Sequence, residues 1–170
     1  MDTTSLENFL DSFGQKVVND AKANLQKDKG NTALGQSIRF EVVPTDLGFS
    51  TQFYMYDYGT YLDKGVSGNE EKISYTNTKG QTVSSPYSYT TKQPPAGILE
   101  VWIAKKGLER RKGNKSFAFA IAKTIKKKGT KSLSFFQTPL GVEYEKLKEG
   151  LLTELKLDIE SYLTTFYRPK

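Results

Sequence analysis

Seven apolar residues near the start of the chain, Leu6, Phe9, Leu10, Phe13, Val17, Ala21 and Leu25, recur at intervals of three and four. Only a helix places that spacing on one face, and the opposite face then carries Asp11, Gln15, Asn19, Lys22 and Gln26. Thr4 and Glu7 stand at capping-box spacing ahead of the stripe, so a helix is expected over residues 5–27, ended by Asp28 to Asn31 around Gly30. Gly14 within it reads as a small propensity cost, about 1 kcal/mol against alanine. A stripe this long needs an apolar surface to cover, and the next segment supplies one.

Ile38, Phe40 and Val42 alternate with Arg39, Glu41 and Val43 up to Pro44, the pattern of a half-buried strand. After a turn at Thr45 to Gly48, the residues Phe49, Thr51, Phe53 and Met55 alternate again. The pair reads as an antiparallel hairpin with the first helix over its apolar face. A short helical turn follows from about Asp57 to Lys64, with Tyr58, Tyr61 and Leu62 on one edge and Gly65 as its stop. The tyrosines suit a core edge with hydroxyls reaching solvent better than a base-stacking platform.

Residues 66–96 are dominated by Ser, Thr, Asn, Gly, Gln, Lys and Pro. A connection that long is unusual in a compact domain, so disorder or a functional role is expected of it. Ile73 to Thr76 and Thr82 to Ser84 form a candidate hairpin too poor in apolar residues to stand in solvent alone. The expectation is an assembly arm that orders on a partner subunit, with Tyr75, Tyr87 and Tyr89 as its contact residues.

Pro94 and Pro95 open a helix, favoured over a strand, with Ile98, Leu99, Trp102 and Ile103 on one face and Gly107 as its close. Asn114 caps the next, whose stripe is Phe117, Ala118, Ile121, Ala122 and Ile125 and whose last turn holds Lys126, Lys127 and Lys128 ahead of Gly129. Residues 132–137 read as a third strand or an extended tether anchoring Leu133, Phe135 and Phe136. From about Val142 to Tyr167, apolar residues again recur at threes and fours, which makes a long C-terminal helix the most regular element. The fold class is therefore α+β in a single domain over 1–170, with a long polar loop at 66–96.

Charge is concentrated. Residues 105–131 hold eleven Lys or Arg against Glu109 alone, while the chain as a whole has 25 basic and 19 acidic residues. The rest of the molecule is mildly acidic. Beside the plain reading of a solvated helix face, Lys105, Lys106, Arg110, Arg111, Lys112, Lys126, Lys127 and Lys128 are the candidate interaction residues, for a nucleic-acid backbone or for an acidic protein surface.

With no Cys and no His, thiolate, Ser-His and zinc-water mechanisms are excluded. No glycine loop for phosphates and no clustered acids appear, so no catalytic residue, metal or cofactor is expected. Asp57 and Asp63 read as a cap and a surface charge. No apolar run reaches membrane-spanning length, and the acids in the first residues argue against an export signal.

The order of these pieces carries a resemblance. Leu34, Ser37, Ile38, Phe40 and Val42 ahead of a hairpin, then Tyr58, Tyr61, Leu62, Asp63, Lys64 and Gly65, then the run from Ala120 to Phe136, resemble the tail-completion or head-tail connector proteins of tailed bacteriophages. The insertion at 66–96 and Phe135-Phe136 in place of a Pro-Phe pair depart from that family's pattern. The resemblance implies a small α+β virion protein, not an enzyme, assembled in the host cytoplasm. Several copies would form a ring in the neck between the portal-adaptor ring and the tail tube, with DNA passing through the lumen. The alternative is a DNA- or RNA-binding protein using residues 105–131.

Overall fold

A computed structural model describes residues 4–46, 48–108 and 114–166. Among the described residues it is an α+β structure of six helices and three separate two-stranded antiparallel sheets. The chain forms two compact units. The first comprises residues 1–56, 77–80 and 135–170, and the second comprises 57–76 and 81–134.

The first unit holds most of the buried apolar surface. Helix α1 (Thr4–Lys29) buries Phe13, Val17, Ala21 and Leu25 of its stripe, and Val18 beside them. It ends where Gly30 takes φ +72° and donates its N–H to the Gln26 carbonyl at 2.8 Å. A one-and-a-half-turn helix α2 (Ala33–Ser37) follows, capped by Thr32, whose hydroxyl accepts from the Gly35 N–H at 3.2 Å. Strands β1 (Arg39–Thr45) and β2 (Gly48–Tyr54) pair in the register Phe40 to Phe53 and Val42 to Thr51. That register puts Phe40, Phe53 and Phe13 into one aromatic cluster, with ring centroids 6.0 Å apart for Phe13–Phe53 and 6.3 Å for Phe40–Phe53.

Phe135 and Phe136 are buried in this unit, the latter edge-on to Phe53 at 5.5 Å. Helix α6 (Gln137–Phe166) then begins five residues before the expected Val142, with the buried Pro139 in its first turn. Close approaches in this unit are made at glycines. A Cβ on Gly14 would overlap the Phe40 ring, so this residue is a contact between helix and strand as well as a propensity cost. On α6, a Cβ at Gly150 would come within 2.6 Å of the Phe9 ring.

The second unit is held differently. Helix α3 (Gly59–Lys64) stops at Gly65 with φ +68°. Strand β3 (Val66–Ser67) pairs with β6 (Gly129–Thr130), and β4 (Ser74–Thr76) pairs with β5 (Thr82–Ser84). Two helices, α4 (Ala96–Lys105) and α5 (Asn114–Lys128), complete it and lie against each other. Among the described residues only Ile103, Ala118 and Ala122 are buried hydrophobics here, against nine in the first unit.

Serine side chains carry much of the remaining order. The Ser67 hydroxyl accepts the Ile73 N–H at 3.0 Å, and that of Ser85 donates to the Gly65 carbonyl at 2.7 Å. Ser132 donates to the Asp63 carbonyl at 2.8 Å, and Ser134 accepts the Thr76 N–H at 3.0 Å. Residues 66–96, expected to order on a partner, are therefore hydrogen-bonded within the molecule, Ser67 exchanging bonds with Tyr87 and Tyr89 at 2.8 Å. Residues 131–134 form a tether and no third strand: Leu133 and Ser134 donate to the carbonyls of Leu62 and Asp63 at 3.0 and 2.9 Å.

Candidate interaction surface

The basic block divides into three parts. Lys105 and Lys106 sit at the C-terminal end of α4, where positive charge opposes the helix dipole. Arg110, Arg111 and Lys112 lie outside the described residues. Lys126, Lys127 and Lys128 end α5, and each has a partner in its own unit. Lys126 Nζ donates to the Thr91 carbonyl at 2.8 Å, Lys127 pairs with Glu70 at 2.6 Å, and Lys128 approaches Glu71 at 3.7 Å.

The backbone beneath those pairs explains their position. The N–H groups of Asn69, Glu70 and Glu71 donate to the Lys126 and Lys127 carbonyls at 3.0 to 3.2 Å, satisfying the open end of α5. Gly68 and Gly129 permit the approach, since a Cβ on either would overlap the facing backbone. The Lys-rich helix exit is thus first a local joint. Among the described residues no ion pair engages Lys105, Lys106, Lys115 or Lys123.

The two acids read as a cap and a surface charge prove unequal. Asp57 is exposed and is not the cap, since the N-cap position of α3 is Tyr58 with no side-chain capping bond, whereas Asp63 is 1% exposed, with the tether 132–134 bonded to the backbone at the end of α3. Among the described residues no group of three or more acids could hold a metal ion, and no helix is long and apolar enough to cross a membrane.

The tyrosines of 66–96 are half-buried. Tyr87 meets Tyr61 at a centroid distance of 4.5 Å, and Lys64 stands 5.9 Å over the Tyr75 ring. Burial pushes the Tyr89 hydroxyl above its ordinary pKa. Tyr61, Tyr87 and Tyr89 line an open cavity of about 640 Å³.

A feature absent from the sequence reading is the outer side of α4. Its residues are apolar around the whole circumference, interrupted only by Gly97, Glu100 and Lys105. A helix of that composition is normally covered on all sides. Here Ile103 is buried, yet Ile98, Val101 and Trp102, spaced three and four apart, are 68%, 56% and 44% exposed. The expected single face of Ile98, Leu99, Trp102 and Ile103 is split between an inner and an outer side. On the neighbouring α5, Phe119 is 55% exposed.

The first unit contains the converse feature, an apolar groove of about 500 Å³. Helix α1 contributes Leu10 and Phe13, strand β2 contributes Phe49 and Phe53, and α6 contributes Leu140, Tyr144 and Leu147. In its wall the Thr51 hydroxyl is buried without a hydrogen-bond partner. On α6 next to the groove, the buried carboxylate of Glu143 accepts from Lys146 at 2.6 Å, which raises the pKa of that lysine.

No family model, curated protein or solved structure matches the chain.

Proposed function

We propose that this chain is a non-enzymatic structural protein of a tailed-phage virion, present in several copies as a ring in the neck that joins the head-side connector to the tail. The observation that carries the reading is the uncovered side of α4, in a unit with three fully buried hydrophobics among the described residues. A segment so built gains much of its stability only when another surface covers it. The sequence resemblance to tail-completion proteins says what kind of assembly provides that surface. The portal-adaptor and tail-tube proteins are the neighbours, and DNA passes through the lumen.

The test is twofold. Mass spectrometry of purified particles should find the chain at a stoichiometry of several copies per virion, and electron microscopy of the concentrated protein or of particle necks should show it in a ring. A protein that stays monomeric and is absent from particles refutes the reading. The alternative, a DNA- or RNA-binding protein, draws on the charge of the second unit, where 14 basic residues face 6 acidic ones. Binding to phosphates would fall steeply with ionic strength and need no other virion protein.

A further inference from the structure

We infer that the outer side of α4 in one copy docks into the α1/β2/α6 groove of a second copy, so that copies join head to tail. This rests on the reading of the chain as a repeated subunit and names the surfaces that join. Two features of one chain complement each other. One is a stripe of large apolar side chains left exposed among the described residues, and the other is an apolar groove of about 500 Å³.

Charge points the same way. The second unit, which carries the stripe, has a formal net charge of +8, from 14 basic and 6 acidic residues. The first unit, which carries the groove, has 11 basic and 13 acidic residues, a net of −2. At the stripe, Lys105 and Lys106 end α4. On the helices that wall the groove, Glu7, Asp11 and Glu149 are exposed, and so is Glu145, which pairs with Lys148 of its own helix at 2.7 Å. Opposite charges at the rim steer encounter and fix register, while the apolar centre holds the contact.

Area is sufficient. Four side chains exposed to between 44% and 68% offer on the order of 350 to 400 Å² of apolar surface. A stable interface buries about 800 Å² per partner, somewhat over half of it apolar. Ile98, Val101 and Trp102 of α4 together with Phe119 of α5 therefore supply most of the apolar part. Trp102, the one tryptophan of the chain and flanked by Ile98 and Val101, has the character of a central anchor. A contact between two different surfaces of the same chain is heterologous, and it closes into a ring when the rotation between copies divides the circle.

The absence of cysteine makes the test clean. Full-length Val101→Cys and Tyr144→Cys proteins are prepared separately, mixed at a concentration where the wild type is oligomeric, and treated with a short bis-maleimide. The expected product is a dimer, at twice the 19.1 kDa chain mass, formed in the mixture and not by either variant alone. Trp102→Lys, with its circular dichroism unchanged, should weaken association at least about 30-fold.

A dimer from Val101→Cys alone would mean an isologous contact of α4 with α4 and would overturn the inference. So would cross-linking within a single chain of the double variant without any mixed dimer, which would place the stripe in its own groove. An oligomer found in particles that yields no mixed product overturns this surface pair and leaves the neck reading standing. A mixed dimer from a protein absent from particles does the reverse.

Discussion

Gly14→Ala sets two effects of opposite sign against each other. Helix propensity favours the alanine in mid-helix by about 1 kcal/mol. Packing opposes it, because the added Cβ would overlap the Phe40 ring and stand 2.7 Å from its Cγ, the atom that roots the ring. Rotation of the ring cannot move that root. The ring also neighbours that of Phe53, which is itself held by Phe13 and Phe136. Overpacking of this kind costs about 1 to 3 kcal/mol. With root and ring both obstructed the upper part of that range applies, leaving a net loss of about 1 to 2 kcal/mol.

The sign should invert when the obstruction is removed. In a Phe40→Ala background the same Gly14→Ala change recovers its propensity gain and fills part of the vacated space, stabilising by about 1 kcal/mol. The coupling is then roughly 2 to 3 kcal/mol, within the range for residues in direct contact. Urea unfolding followed by far-UV circular dichroism measures all four proteins. If Gly14→Ala stabilises the wild-type background, the close approach of α1 to β1 is refuted.

Thr51→Val should raise stability by about 1 kcal/mol, because it removes a buried hydroxyl that has no partner while keeping its shape; a fall in the urea midpoint would mean that the hydroxyl is bonded. Lys146 and Lys148 are raised by their bonds to Glu143 and Glu145, and Tyr89 by burial, so the fold favours the protonated form of all three. Their stabilisation is complete below the ordinary values of 10.0 and 10.5 and is lost as pH rises through the raised ones. With no histidine in the chain, the melting temperature should be flat from roughly pH 6 to 9 and fall above about pH 10. Glu143→Gln should remove the Lys146 part of that alkaline fall, and an unchanged profile would refute the linkage.

What the sequence disclosed, and what it hid, follows from the range of the forces involved. The α1 stripe, the alternation of β1 and β2 and the glycine stops at Gly30, Gly65 and Gly129 are local patterns and were legible. Gly14 was not, because its role depends on a ring brought from Phe40 by the hairpin register. Asp63 looked like a surface charge because the tether that covers it comes from about 70 residues later, a separation of 69 for the Ser132 bond. The polarity of 66–96 suggested disorder, since composition counts apolar area and not the serine hydroxyls that hold this segment. On α4, periodicity cannot distinguish an inner from an outer stripe when both are apolar.

That ambiguity on α4 bears on the charge as well. Had the basic block been a single solvated face, phosphate binding would be its natural use. Lys126, Lys127 and Lys128 instead sit over the joint where residues 69–71 close α5, and two of them pair with acids of that same segment. Each such contact removes a cation from the set available to a polyanion at no cost to the fold. Four cations of the block that make no ion pair among the described residues, Lys105, Lys106, Lys115 and Lys123, lie on or at the end of the same two helices that expose Trp102 and Phe119. Positive charge bordering uncovered aromatic and aliphatic side chains suits a protein surface with acids around an apolar recess better than a bare phosphate backbone, which would leave the apolar area in water. On the proposed reading, the same arrangement would let a unit with so few buried hydrophobics among its described residues complete part of its core from outside, by assembly.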